Sequence, residues 1–285
     1  MIYCPYTNKD IESSSTNKEH IIPLSLGGSN SFILPVDNKF NSEAGSDIDG
    51  ELANDLLVLF RRRSFDARGH SKKKPKILSK NSSMHSGARP VQVEFAGEEG
   101  LKVFDPVRRR TLSEDEIYGK EFNSKFNISR YGRLRFAAKT AMAGGYFVFG
   151  EWFRANVKHS EIRDLMNFNL NSERKNFEGF GLKVIDEFTT PEEKDISQLA
   201  VEKFFCQVIN GSCVYFVPGP VNIGITVGVL GQFVATLNVP ANTEGFPFTD
   251  ENDLGHAVII EGGKMQRMSY RNLAKKAYEH LPNRS

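Results

Sequence analysis

The spacing of apolar positions changes along the chain, and each change predicts a different element. Residues 19–24 (EHIIPL) and 32–36 (FILPV) read as two short strands, separated by the Gly-rich turn Leu26-Gly27-Gly28-Ser29-Asn30. From about Asn38 to Phe60 the period becomes helical. Ile48, Leu52, Leu56 and Leu59 share one face, Ser46 with Asp49 forms a capping box, and Gly45 and Gly50 mark a break or kink. The first sixty residues thus predict strand, loop, strand, helix. Residues 61–90 are polar and read as a loop or hairpin with little core, followed by a strand pair at Val91–Phe95 and Leu101–Phe104. Residues 133–158 are apolar enough for a buried helix, interrupted near Gly144-Gly145, and 160–168 continue as a short helix. A helix at 196–209 then gives way to a β-meander: Cys213–Val217, Ile223–Leu230, Phe233–Val239 and His256–Ile260, with its tightest turn at Gly231-Gln232. An amphipathic helix over Tyr270–Leu281, N-capped by Ser269, closes the chain.

The chain has 285 residues, 39% hydrophobic and 25% charged, which excludes wholesale disorder. At roughly 100–200 residues per domain it has room for more than one unit. The patterning divides it into 1–65, a basic and largely helical region at 66–176, and a C-terminal α+β part at 177–285 built on the meander. The fold class is therefore α+β. No window approaches the ~18 uninterrupted apolar residues of a membrane span, and the N-terminus has no basic-then-apolar leader. Three cysteines without paired spacing (Cys4, Cys206, Cys213) argue against a disulfide scaffold and for a reducing, cytoplasmic setting.

Charge sharpens the picture. Residues 1–60 carry 3 Lys/Arg against 9 Asp/Glu, residues 61–185 carry 26 against 14, and residues 186–285 carry 8 against 12. Segregation of this kind suggests a polyanionic partner for the middle block and a cation site in the first.

Chemistry concentrates in Glu19-His20-Ile-Ile-Pro23, Leu26-Gly27-Gly28, and Asn41 with Gly45 at the helix start. Hydrolysis of a phosphodiester at a strand–loop–strand–helix unit requires an imidazole facing the phosphate to deprotonate water. It also requires hard oxygen ligands holding a divalent cation against the phosphate oxygens. Glu19 and His20 are adjacent on a strand and point to opposite faces unless the strand ends or twists there, which Pro23 and the Gly-Gly turn permit. Asn41, on the first helical turn, would close the site from the other side.

These residues resemble the HNH endonuclease family, the ββα-metal nucleases. The match covers Cys4 to about Leu52, and within it Asn41-Ser-Glu-Ala-Gly45-Ser-Asp-Ile-Asp49 is similar to one subgroup's Asn-x-x-x-Gly-Ser-x-Ile-Asp. The resemblance implies an HNH nuclease motif over 1–65, with His20 as general base and Glu19 and Asn41 as Mg²⁺ ligands, Mn²⁺ being able to substitute. Two positions depart from the pattern. Where many members place structural-zinc cysteines, this chain reads Cys4-x-x-Thr7 and Asp37-x-x-Phe40, so no structural zinc is expected and packing around Phe40 must replace it. The family's central Asn falls by counting on Phe32. Asn30 and Asn38 are the nearby amides, and Asn30 is the better candidate for orienting the loop and His20.

Arg61, Arg62, Arg63, Arg68, Lys72, Lys73, Lys74 and Lys76 follow directly on this unit and are the expected phosphate-backbone contacts, with Arg108–Arg110, Arg130, Arg133 and Arg135 as weaker candidates. The expected function is a metal-dependent DNA endonuclease acting in restriction or phage defence. It would leave 5′-phosphate and 3′-hydroxyl ends, and would act as a homodimer if both strands are cut. The alternative is an HNH-fold binding module without turnover. The C-terminal part carries no catalytic signature and suggests specificity, sensing or dimerisation.

Overall fold

The computed structural model describes residues 1–69, 71–84, 89–126, 128–168, 181–188, 193–248 and 253–281. A hairpin of β1 (Ile2–Cys4) and β2 (Lys9–Ile11) opens the chain. Next, β3 (Thr16–His20) and β4 (Ile33–Asp37) pair antiparallel, with Glu19 opposite Leu34 and His20 opposite Ile33. Glycine is required in the loop between them. Gly27 sits at φ +75°, and a Cβ on Gly28 would lie 1.7 Å from the Ile22 carbonyl oxygen.

The chain passes from β4 directly into α1 (Asn38–Phe40), where the Asp37 carboxylate accepts from the Phe40 amide at 2.8 Å. One π-turn (Asn41–Gly45) leads into α2 (Ser46–Ala53), followed by α3 (Leu56–Ser64). The single helix expected over 38–60 is thus divided, with its main break at Asn54-Asp55 rather than at Gly45 or Gly50. Asp55 causes the break, because its carboxylate accepts from the amides of Leu57 (3.1 Å) and Val58 (3.3 Å) and so starts a new helix.

A five-stranded antiparallel sheet follows, ordered β8-β7-β6-β5-β9: β5 (Ile77–Met84), β6 (Arg89–Phe95), β7 (Leu101–Asp105), β8 (Arg110–Thr111) and, after α4 (Glu114–Ile117), β9 (Phe122–Ser124). The region expected to be largely helical is therefore a sheet over its first half. The signal was hidden because two inward positions of β5 are Ser79 and Ser82, which are buried and hydrogen-bonded to each other at 2.8 Å. Met84, Val91, Val93, Val103 and Leu112 give the sheet its own small core.

The 20-residue helix α5 (Arg130–Phe149) runs unbroken through Gly144-Gly145 and ends at Gly150, φ +54°. These two glycines serve close approach rather than interruption, since a Cβ on Gly145 would lie 2.1 Å from the Phe153 ring and one on Gly144 3.2 Å from Val214. After α6 (Glu151–Asn156) and α7 (His159–Met166) come β10 (Lys183–Ile185) and α8 (Glu193–Ile209). The remaining elements are β11 (Ser212–Pro218), β12 (Asn222–Val229), β13 (Gln232–Pro240), β14 (His256–Glu261), β15 (Lys264–Ser269) and α9 (Tyr270–Tyr278). Six strands form one antiparallel sheet, ordered β10-β13-β12-β11-β14-β15. The β12–β13 hairpin turns at Leu230-Gly231, both at positive φ, as two-residue hairpins favour. Ser269 caps α9 by accepting from the Asn272 amide at 3.1 Å.

The chain is thus mixed α+β with antiparallel sheets; in the larger one β11–β12–β13 form a meander, but β14, expected to follow β13, instead pairs with β11 on the other edge. Its main core is continuous. Ile21, Ile22, Leu26 and Phe32, the α5 residues Ala137, Ala138 and Ala141, and Ile225, Val227 and Leu237 of the large sheet all belong to it. The other face of that sheet, with Tyr215 of β11, is covered by α8 and α9 through Phe205, Cys206 and Leu273. The boundary expected at 176/177 lies outside the described residues, and the core joins 1–65 to the C-terminal part through α5. Among the described residues no helix is long and apolar enough to cross a membrane.

Candidate active site

A cavity of about 270 Å³ opens at the tip of β3, lined by Glu19, His20, Asn41, Asp49 and Gly69 together with the Pro23–Ser25 turn. Strand alternation would send Glu19 and His20 to opposite faces. The strand ends at His20, and both side chains reach the cavity at its tip. Glu19 is buried and His20 half-buried.

The Nε2 of His20 lies 2.9 Å from Oδ1 of Asn30, across the loop that Gly27 and Gly28 shape. The loop is also tied to the large sheet, where the Ser212 hydroxyl donates to the Leu26 carbonyl (2.6 Å) and accepts from the Leu230 amide (3.0 Å). An amide relay fixes Asn41. Its Nδ2 donates to Asn17 Oδ1 at 3.0 Å, and Asn17 Nδ2 donates to Asn38 Oδ1 at 3.0 Å, which directs Asn41's donor end into the relay and leaves its carbonyl oxygen as the acceptor end. Glu19, His20 and Asn41 therefore line one cavity, and Asn30 joins them through its contact with His20. Phe40 stacks on Tyr6 with ring centroids 4.9 Å apart, and Cys4 Sγ beside them accepts from the Asp37 amide at 3.3 Å.

Two residues that the motif does not assign complete the site. Asp49 turns its carboxylate toward Lys139, whose Nζ lies 2.9 Å from both Asp49 oxygens and also donates to Glu19. Burial raises the Asp49 carboxyl to about 6; the Lys139 charge opposes the rise and Glu19 reinforces it. Burial alone would lower the Lys139 ammonium, but the two carboxylates outweigh it and hold it above the ordinary lysine value. The Tyr6 hydroxyl is raised by burial and then by Glu19 and Asp49, so it stays protonated, and it is buried with no hydrogen-bond partner among the described residues. A signal for Lys139 was present. It is the one charged residue in the run Phe136–Ala141, all of it fully buried, and a lysine there requires a paired anion.

The basic residues separate into two groups. Arg62 donates to the carbonyls of Ser25 (2.8 Å) and Ala53 (2.7 Å), and Arg63 to those of Pro75 (3.3 Å) and Ala96, so both guanidiniums brace the fold. Arg61 is half-buried on α3, and Arg68 pairs with Asp66 at 2.7 Å. Lys72, Lys73, Lys74 and Lys76 are exposed on the segment that leaves the cavity mouth after Gly69, with Lys76 3.6 Å from Glu94. Of the weaker candidates, Arg133 is fully buried and bound to Asp55 (3.4 Å) and the Phe233 carbonyl (3.0 Å), which removes it from any groove. Arg130 pairs with Asp186 at 2.9 Å, Arg135 with Asp47 and Glu51 at 3.3 Å, and Arg110 with Glu116 at 2.7 Å.

Among the described residues no three His, Cys, Asp or Glu side chains converge as a metal-ligand group. The donors at the cavity are two carboxylates, Glu19 and Asp49, and the Asn41 amide. An all-oxygen set of this kind suits a hard divalent cation, and the ammonium seated on both carboxylates marks the spot as one that already takes positive charge. No known protein family, curated protein or solved structure matches the chain.

Proposed function

We propose that the chain is a metal-dependent endonuclease of the HNH, ββα-metal kind, hydrolysing DNA phosphodiester bonds in restriction or phage defence. The observation that carries this reading is a histidine held 2.9 Å from an amide oxygen at the mouth of a cavity lined with hard oxygen donors. The Asn30 amide holds the His20 ring through Nε2 at 2.9 Å and so orients the imidazole that acts as the base. His20 takes a proton from water as the water oxygen bonds to phosphorus and the P–O3′ bond breaks, the 3′-oxygen taking its proton from solvent. A Mg²⁺ or Mn²⁺ held by Glu19, Asn41 and Asp49 would supply positive charge to the phosphate oxygens. Lys72, Lys73, Lys74 and Lys76 bind the neighbouring phosphates of the backbone, leaving His20 aligned with one of them.

A second reading, a binding module without turnover, draws on the same ion cluster. With Lys139 already on both carboxylates, the pocket is partly neutralised without any added cation. Incubation with supercoiled plasmid, unmodified and hydroxymethylated, in Mg²⁺ or Mn²⁺ separates the two. Nicks that need metal and can be resealed by DNA ligase are the expected result. Retention of DNA without any strand break in every metal favours the module.

A further inference from the structure

We propose that Lys139 is a positioning residue of this pocket: its ammonium, delivered from the core by α5, holds Glu19 and Asp49 side by side and sets how strongly the pocket takes a divalent cation. The inference rests on the metal-dependent reading for where that cation goes, but its geometry is independent of turnover.

A surface lysine can swing away from a carboxylate, but Lys139 cannot. Its side chain is fully buried, and Ala137, Ala138, Thr140 and Ala141 around it on α5 are buried too. The next residue fastens the same helix to the same strand end, since Thr140 Oγ1 reaches the Ile21 carbonyl at 3.5 Å. The ammonium is thus a fixed charge bound to Glu19 and lying 2.9 Å from both oxygens of Asp49, partners 120 and 90 residues away in sequence. It has two effects. It cancels the repulsion that would drive two buried carboxylates apart, and so keeps them at the mouth of the cavity. It also lowers the negative charge that an incoming cation meets, from two to one.

The second effect distinguishes this role from scaffolding. Losing a merely structural residue weakens ligand binding. Losing a fixed positive charge beside a cation site strengthens it, and a unit charge a few ångströms away is worth about tenfold or more at a protein's effective dielectric. The test is Mn²⁺ titration of the full chain, followed by electron paramagnetic resonance, for the wild type and Lys139→Gln, with circular dichroism to confirm folding. Tighter Mn²⁺ binding by Lys139→Gln, by about tenfold or more, is expected.

Equal or weaker binding by folded Lys139→Gln, with the wild type binding, overturns the proposal and leaves the nuclease reading standing. Binding by Lys139→Gln alone supports the proposal and removes the metal-dependent reading of the wild type, whereas binding by neither removes both. Should Lys139→Gln fail to fold, Asp49→Asn is compared with Asp49→Asn/Lys139→Gln. Neither variant leaves two like charges facing each other, and the same tightening on loss of the lysine is expected.

Discussion

His20 Nε2 and Asn30 Oδ1 lie 2.9 Å apart, linking the end of β3 to the loop before β4. The contact orients the imidazole ring, so it should matter to rate more than to binding. Asn30→Ala is expected to slow cleavage by about tenfold to a hundredfold, the usual cost of losing a group that orients a reacting side chain. Asn30→Asp keeps an acceptor there and should retain most of the rate. Cleavage rates beside DNA affinities check this, and equal rates for Asn30→Ala and wild type would remove the orienting role.

The basic segment should divide by the function of each cation. Replacing Lys72, Lys73 and Lys74 by Ala should weaken DNA binding, and the slope of log K against log salt should fall by up to about 0.9 for each phosphate that a lysine no longer neutralises. Thermal stability should barely change, because all three are exposed. Arg62→Ala should do the reverse. It strands the Ser25 and Ala53 carbonyls and should cost about 1–3 kcal/mol of stability. Fluorescence anisotropy across salt and thermal melts of both variants distinguish the two effects.

Glycine substitutions offer a test of the packing. Gly145→Ala would place a methyl 2.1 Å from the Phe153 ring and should destabilise by about 1–3 kcal/mol in urea unfolding. Gly50→Ala lies in α2 with nothing within 4 Å of the new Cβ and should stabilise by roughly 0.5–1 kcal/mol. The opposite order of effects would contradict the packing described around α5.

Stability should depend on pH through His256, whose Nε2 accepts from Arg267 Nε at 3.1 Å. Burial, and then the Arg267 charge, hold this imidazole below the ordinary histidine value. A histidine lowered in the native state contributes stability above the unfolded value, about 6.5, and loses it as pH falls through the native value. Asp49, raised to about 6, works in the opposite sense: its contribution is full below the ordinary carboxylate range and lost as pH rises through its native value. The readout is therefore the difference between wild type and His256→Gln. The wild type should lose more of its melting temperature than the variant on going from about pH 7 to about pH 5. His159 is lowered in the same way, chiefly by burial, and keeps part of the slope in both proteins.

Much of the architecture can be read from local pattern. The meander at 212–240, the Ser269 cap and the strand–loop–strand–helix order after Thr16 follow from periodicity and turn chemistry acting within a few residues, but the first of those strands is Thr16–His20 rather than 19–24, and the β1–β2 hairpin before it was not expected. The other failures share a cause. Strand β5 escapes because its inward serines satisfy one another, so burial there carries no hydrophobic signal. Gly144 and Gly145 look like breakers, but only the position of Phe153 and Val214 reveals that the space is needed. At the site, Glu19, His20 and Asn41 lie within one short motif. Lys139 lies 120 residues from Glu19, and no local rule tells which strand end a buried lysine meets.

The most direct test is single-turnover cleavage of plasmid DNA by wild type and His20→Ala at saturating enzyme in Mg²⁺. A loss of about 10²–10⁴-fold in the cleavage step, the usual contribution of a general base, is expected with DNA affinity unchanged. Cleavage by His20→Ala at the wild-type rate would contradict the general-base role.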